Sequence, residues 1–223
     1  MKAQLMSADT KLIDYYRQRA SEYERIYQKP ERQEDLARMK KHLRRELGGR
    51  HILELACGTG YWTAAIAEVV ASLHGLDANA EVLKIARSKQ LNPARITFAR
   101  GDAFSPPRDL GQFTAGFTAH WWSHVPLTRL PSFLENFHAA LQPGARVVFM
   151  DNRYVPGSST PICRADAAGN TYQQRPLDDG TSHEVLKNFP TANQLRDLLQ
   201  CYSNSVRIVE FTYFWCASYD LAQ

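Results

Sequence analysis

The sequence predicts an α/β protein with a doubly wound, mostly parallel, seven-stranded sheet and helices on both faces. Three observations carry that expectation. Short apolar runs at residues 52–55, 72–76, 95–99, 114–119 and 147–150 recur, with helical spacing of apolar residues between most of them. The first run leads directly into the glycines of Cys57-Gly58-Thr59-Gly60, a strand-to-helix turn. The 223 residues suffice for one domain with a full hydrophobic core.

In chain order, residues 1–48 predict a helical cap. Leu12, Tyr16, Tyr23 and Tyr27 recur near helical spacing, a first helix ending at Pro30. Leu36, Met39, Leu43 and Leu47 mark a second amphipathic helix, stopped by Gly48-Gly49. Residues 49–150 hold the alternation, with helices over about residues 62–70 and 80–89. A further helix carries Leu130, Phe133, Leu134, Phe137 and Leu141 and closes at Pro143-Gly144, before the fifth strand. Strands joined by helical crossovers pair in parallel, and ligands then bind beyond their carboxyl ends. The loops after Leu55, Leu76, Ala99, Ala119 and Met150 should converge on one site. Residues 151–190 break the pattern: residues 171–176 and 182–188 flank Asp178-Asp179-Gly180, which predicts a β-hairpin inserted after the fifth strand. Residues 191–223 supply a last helix and two strands. Thr191-x-x-Gln194 resembles a capping box, with Leu195, Leu198, Leu199 and Tyr202 inward, and residues 205–211 and 214–218 follow as strands. No repeat or linker divides the chain, so residues 1–223 read as a single domain.

Composition narrows the partners. The chain is 44% hydrophobic and 22% charged with a net charge of +4, and its Lys and Arg are spread among acids. That argues against a nucleic-acid-binding face. The densest basic patch, Lys40-Lys41 and Arg44-Arg45, reads as a solvated helix face. No stretch approaches the roughly 18 apolar residues that span a bilayer. Met1-Lys2-Ala3-Gln4 lacks the apolar core of a secretory signal. Cys57, Cys163, Cys201 and Cys216 show neither CxxC spacing nor disulfide-scaffold density and read as reduced thiols in a cytoplasmic protein.

A bare GxG discriminates poorly, so its surroundings must choose the ligand. A dinucleotide fingerprint asks for Gly or Ala at the position of Thr63, where a β-branched residue stands. An acid about 20 residues on fits either reading, and Asp77 supplies it. The separating feature is Glu54, inside the strand and four residues before Gly58. Glu54-Leu55-Ala56-Cys57-Gly58-Thr59-Gly60 resembles motif I of the class I, Rossmann-like S-adenosylmethionine-dependent methyltransferases, an acid, three residues, then GxG. Three further segments are similar to that family in its own order. They are Gly75-Leu76-Asp77, Arg100-Gly101-Asp102-Ala103 and Leu141-Gln142-Pro143-Gly144-Ala145. The resemblance covers roughly residues 50–152.

What the resemblance implies is a cofactor, S-adenosyl-L-methionine, with S-adenosyl-L-homocysteine as product. The Ala56 and Gly58 backbone would hold its amino-acid end within the loop that Gly60 completes, and Glu54 would help place the ammonium. Asp77, beside Ala78, would accept both ribose hydroxyls, a bidentate task suited to a carboxylate. Asp102 would accept from the adenine amino group while the Ala103 amide donates to the ring. N-terminal helices commonly close over the cofactor in this family. Tyr15, Tyr16, Arg19 and Tyr23 therefore form either a wall of the site or a helix face packed on the sheet.

Residues 120–126, His-Trp-Trp-Ser-His-Val-Pro, correspond to the segment beside the reactive methyl group. His120 is the cofactor-adjacent candidate and His124 the proton acceptor, since imidazole titrates near neutral pH. Trp121 and Trp122 face the acceptor or fill the core. Arg153, Tyr154, Arg164, Tyr172, Arg175 and Lys187 lie in the 151–190 insertion, where the family often builds substrate lids. Arg153, Tyr154 and Arg175, with the two tryptophans, form the expected acceptor-binding set, for a planar or anionic molecule; the alternative is a solvated hairpin. Displacement at a sulfonium gains about 7–11 kcal/mol from positioning alone in well-aligned cases, so a base is not obligatory.

No Asn/Asp-Pro-Pro-Tyr/Phe and no Pro-Cys follows the fourth strand, which disfavours base amines, glutamine and cytosine C5 as targets. Asp151-Asn152 matches half of a catechol-type metal site, but His120 stands where its other aspartate belongs, so a metal-independent enzyme is expected. The expectation is methyl transfer to N or O of a small molecule by a monomer or homodimer, without nucleic acid or membrane. Protein or RNA methylation, an inactive cofactor-binding partner subunit and NAD-linked oxidoreduction are the rivals.

Overall fold

The computed structural model describes residues 8–108 and 112–222, with the side chains of residues 8–10 left out; the Met1–Gln4 reading lies outside them. Helix α1 (Ala8–Gln18) and helix α2 (Gln33–Leu47) precede strand β1 (His51–Leu55). Then come α3 (Tyr61–Ile66), β2 (Ser72–Asp77), α4 (Ala80–Ser88), β3 (Ile96–Arg100), β4 (Ala115–Ala119), α5 (Leu130–His138) and β5 (Arg146–Asn152). Strands β6 (Ile162–Ala165), β7 (Thr171–Pro176) and β8 (Ser182–Leu186) follow. Helix α6 (Ala192–Leu199), β9 (Arg207–Glu210) and β10 (Phe214–Asp220) finish the chain. The main sheet has seven strands in the order β3-β2-β1-β4-β5-β10-β9, and only the pairs that β10 makes are antiparallel. The predicted architecture is therefore present.

Alternation along β1 sorts the two cores. Leu53 and Leu55 join the cluster formed with Phe133, Phe137, Leu195 and Leu199 of α5 and α6. Ile52 joins the opposite cluster with Leu36, Met39, Leu43 and Leu47 of α2 and Trp62 and Ile66 of α3. The capping box forms as read: Thr191 caps α6 and Gln194 returns to the Thr191 amide at 2.9 Å. In the basic patch of α2, Arg44 reaches Glu68 and Arg45 reaches Glu46 at the surface. All four cysteines are free, and no described helix is long and apolar enough to cross a membrane.

One expectation needs correction, and the predicted hairpin forms with an added strand. The single helix predicted through Tyr27 is broken: α1 ends at Gln18, and Tyr23–Gln28 is a separate 3₁₀ segment. In a straight helix Tyr16 and Tyr23 would stand about 10 Å apart along the axis. The break brings their rings to 5.7 Å, and Tyr27 to 6.1 Å from Tyr23. The predicted hairpin, β7 and β8, is part of a three-stranded sheet with β6 at its edge. All four β6 residues are exposed, so no apolar alternation announced that strand.

Candidate active site

A cavity of about 400 Å³ opens at the carboxyl ends of β1 to β4, roofed by Leu12, Ile13, Tyr16 and Tyr23 from the N-terminal segment. Ala56, Gly58, Asp77, Ala78, Asp102, Ala103, His120, Trp121 and His124, all named from the sequence, line it. The chain leaves β1 with left-handed backbone at Ala56 (φ 52°), Gly58 (φ 57°) and Gly60 (φ 72°). A Cβ at Gly58 would touch nothing within 4 Å, so this glycine serves its backbone angle and leaves the loop open to a ligand. Gly60 differs: its Cβ would meet that of Ala86 on α4 at 3.1 Å, and it does not reach the cavity. Gly60 serves helix packing there.

Asp77 ends β2 and organises the loop. Its two oxygens accept from the Gly58 and Asn79 amides, each at 2.9 Å. Burial raises its carboxyl against these bonds. Carboxylate oxygens have further lone pairs for a ligand. Asp102, exposed on the cavity rim, accepts from the Phe104 amide at 2.9 Å, an Asx turn that fixes the Ala103 segment.

Glu54 lies behind the loop, only 1% exposed, and lines a small recess with Tyr23, Tyr27 and Trp62. Thr63 of α3 donates its hydroxyl to Glu54 at 2.5 Å. The residue that weakened the dinucleotide reading is thus the partner of the acid that strengthened the rival one. Burial pushes the Glu54 carboxyl up to about 8.

The β4 exit is strained at His120 (φ 59°), a buried residue with no hydrogen bond at either ring nitrogen. Its Nδ1 stands 3.6 Å from Asp151. Non-glycine left-handed residues cost about 1–3 kcal/mol and cluster at functional sites; Ala56 and His120 both line this cavity. His124 departs from its expected role. Its Nδ1 lies 2.7 Å from the Leu186 carbonyl, so that nitrogen donates, and Nε2 accepts from the Tyr16 hydroxyl at 2.7 Å. Burial, then the charge of Lys187, holds its imidazole well below the usual range. Both nitrogens are engaged, and Tyr16, which lines the cavity beside His124, is the partner of Nε2. Trp121 lines the cavity, whereas Trp122 is 2% exposed and packs on Phe149 and Trp215 in the core.

The lid set divides. Arg153 bonds the Phe211 carbonyl and pairs with Glu210, Tyr154 is 39% exposed against Phe189, and Arg164 pairs with Glu184 while covering Tyr172. These four do not reach the cavity. Arg175 and Lys187 turn inward behind His124, though neither lines the cavity itself. Asp151, 0% exposed, accepts from Lys187 at 2.9 Å and from the Ser123 amide at 2.9 Å. Burial alone would raise that carboxyl, but Lys187 and His120 hold it well below the usual carboxylate range. Burial lowers Lys187 to about 8. This pair spans 36 residues of sequence, and no local pattern signals it. Arg19 sits behind the roof, bonded to the Tyr15 hydroxyl at 2.7 Å and stacked over Tyr23 at 5.5 Å.

Residues 52–144 match the methyltransferase domain family. The demethylmenaquinone methyltransferase of Lactococcus lactis is 33% identical over 129 residues, 55% of this chain and 50% of that protein. The 2-phytyl-1,4-naphtoquinone methyltransferase of Synechococcus elongatus is 33% identical over 109 residues, 46% of each chain. The chain thus spans about half the length of these relatives. The structure of a DhpI–SAH complex superposes with a TM-score of 0.77 at 29% identity, covering 96% of both chains. A DhpI–SAM–HEP complex gives 0.77 at 28% identity over 97% of this chain and 99% of that one. With the strand order, the glycine loop and the acidic β2 terminus in place, the chain is similar in fold and motifs to the class I, Rossmann-like S-adenosylmethionine-dependent methyltransferases.

Proposed function

We propose that this protein is a methyltransferase that moves the methyl group of S-adenosyl-L-methionine directly onto a nitrogen or oxygen of a small molecule, leaving S-adenosyl-L-homocysteine. One observation carries the reading: a single cavity joins the Ala56–Gly58 loop, Asp77 and Asp102 to the His120–His124 segment. The residues fit the cofactor by their chemistry. Gly58 leaves open a space no Cβ obstructs, Asp77 offers lone pairs to a diol, and Glu54 stands in the adjoining recess for an ammonium. Asp102 and Ala103 are at the rim for the adenine.

When bound, the cofactor supplies an electrophilic methyl on a sulfonium. The protein's part is to orient and to exclude water, which Tyr16, Tyr23, Leu12 and Ile13 do as a roof over the cavity. Trp121 and His120 border the acceptor's side. The reading goes with residues 1–223 acting as one domain, with β6 to β8 beside the acceptor site. It also goes with a cytoplasmic monomer or homodimer that works without nucleic acid or membrane; the free cysteines and the surface pairing of basic residues on α2 support this.

Calorimetric titration tests it. S-adenosylhomocysteine should bind in the micromolar range and NAD not measurably, and the reverse result would sink the proposal. Incubation of metabolite extracts with methyl-labelled cofactor should then transfer label to a small molecule in the wild-type sample alone.

A further inference from the structure

Behind the cavity wall formed by Tyr16, Tyr23 and His124, outside the lining residues themselves, cations outnumber carboxylates. Several arginines meet carboxylates: Arg146 meets Glu46 and Asp220, Arg164 meets Glu184, and Arg44 meets Glu68. Three that stand close together near the cavity do not. Arg19 bonds a tyrosine hydroxyl, Arg32 bonds Ser158, and Arg175 bonds the Gln173 amide oxygen at 2.6 Å. None of these three has a carboxylate within 4 Å among the described residues. The Nε atoms of Arg32 and Arg175 are buried without a partner among the described residues. Lys187, whose side chain is 4% exposed, is a fourth cation, and among the described residues Asp151 is the one carboxylate that meets it.

These groups surround one place. Lys187 bonds Ser123 at 2.5 Å, in the 120–124 segment that lines the cavity. Its backbone neighbour Leu186 accepts from His124. Arg175, from the neighbouring strand β7, acts on the protonation of Tyr16, Tyr23, His124 and Lys187, and Arg19 acts on Tyr16, Tyr23 and Lys187. Tyr16, Tyr23 and His124 are walls of the cavity. Lys187 is buried and the three arginines are half-buried, and like charges held close with limited hydration repel unless an anion answers them. Arginine in particular matches the planar or tetrahedral oxygens of carboxylate and phosphoryl groups.

Resting on the methyltransferase reading above, we propose that the acceptor is an oxyanion, a carboxylate or a phosphoryl-type group, whose charge Arg175, Lys187 and Arg19 hold and whose oxygen takes the methyl. The new O–C bond forms as the C–S bond breaks, and that electron pair stays on sulfur. The acceptor loses one negative charge, the sulfonium its positive one, and no proton is released. No base is then needed, in keeping with His124 having both nitrogens engaged. An amine acceptor would meet like charge as an ammonium, and would need a proton acceptor to become a nucleophile.

Binding of inorganic phosphate and of propionate, titrated calorimetrically at fixed chloride, tests the proposal. Wild type, free and saturated with S-adenosylhomocysteine, should bind at least one of the two. Arg175→Gln should weaken that binding tenfold or more with the S-adenosylhomocysteine affinity unchanged. Arg164→Gln, in a surface ion pair on the same small sheet, should leave both unchanged. Lys187→Gln should act as Arg175→Gln does, but it disturbs a buried ion pair, so Arg175→Gln is the decisive variant. The preferred anion assigns carboxyl or phosphoryl chemistry. Equal anion binding in wild type and Arg175→Gln, or none in a wild type that binds S-adenosylhomocysteine, would overturn the oxyanion acceptor and leave the methyltransferase reading intact. Anion binding without S-adenosylhomocysteine binding would overturn the methyltransferase reading and, with it, methyl transfer to the anion. Label found on nitrogen after transfer from methyl-labelled cofactor would also overturn the proposal.

Discussion

At the residue scale the site is built from groups whose protonation is set by burial. Glu54 remains neutral up to about pH 8 in the free protein because burial disfavours its charge. If it faces the cofactor's ammonium it must ionise, so binding expels a proton. S-adenosylhomocysteine affinity should therefore rise with pH until about 8, and titrations at pH 7 in buffers of different ionisation heat should report net proton release. Glu54→Gln should remove both effects. Asp77→Ala should weaken cofactor binding by roughly 1.5–3 kcal/mol, the range for hydrogen bonds to charged groups. An unchanged dissociation constant would displace the ribose from Asp77. Tyr16 and His124 share one hydrogen bond of 2.7 Å. Tyr16→Phe and His124→Ala should thus be non-additive in single-turnover rate at saturating cofactor, with a coupling of roughly 0.5–3 kcal/mol. Strict additivity would show the pair to be an accident of packing.

At the element scale, the small sheet β6 to β8 is tied to the main sheet through a buried ion pair. Lys187 follows β8 directly and Asp151 lies in β5, so their 2.9 Å contact crosses the boundary between the two sheets. Removing one partner leaves a buried charge unanswered, at about 3–5 kcal/mol. Lys187→Met should lower the urea midpoint accordingly. Arg164→Gln breaks an exposed pair on the same small sheet and should cost under about 1 kcal/mol. Comparable losses in the two variants would mean that Asp151 finds water when Lys187 is gone.

At the scale of the whole molecule, five imidazoles, His42, His74, His120, His124 and His138, are lowered in the fold, chiefly by burial, His138 to about 4. As the pH falls below about 6.5, the unfolded chain binds protons at these sites sooner than the native protein does. Stability therefore rises with pH through that window and is lost on acidification. Glu54 and Asp77, raised by burial, act with the opposite sign, because the native state holds their protons longer. Five sites against two predict a net uptake of protons on unfolding between about pH 5 and 6.5. Thermal melts should show the midpoint falling as pH drops below 6.5. A midpoint that rose on acidification would mean that the imidazoles are charged in the native protein.

The sequence by itself determined the architecture and the cofactor loop, because both follow from patterns shorter than the elements that carry them. Period-two and helical spacing name the seven strands and the covering helices, and Glu54, Gly58, Asp77 and Asp102 sit at fixed offsets from strand ends. The inner wall was decided only by tertiary structure. Nothing local distinguishes Arg175 from Arg164 or Arg153: all three are basic residues of one insertion, yet only Arg175 turns inward. Trp121 and Trp122 are adjacent and equally apolar, but one borders the cavity and the other fills the core against Trp215. His124 has the look of a free base in the sequence, but the packing of α1 beside β8 brings the Tyr16 hydroxyl, 108 residues away, onto its Nε2. The physical reason is the same in each case. Where an ionisable side chain points is set by which partner can answer its charge or hydrogen bond once water is excluded. That partner is chosen by the packing of distant elements.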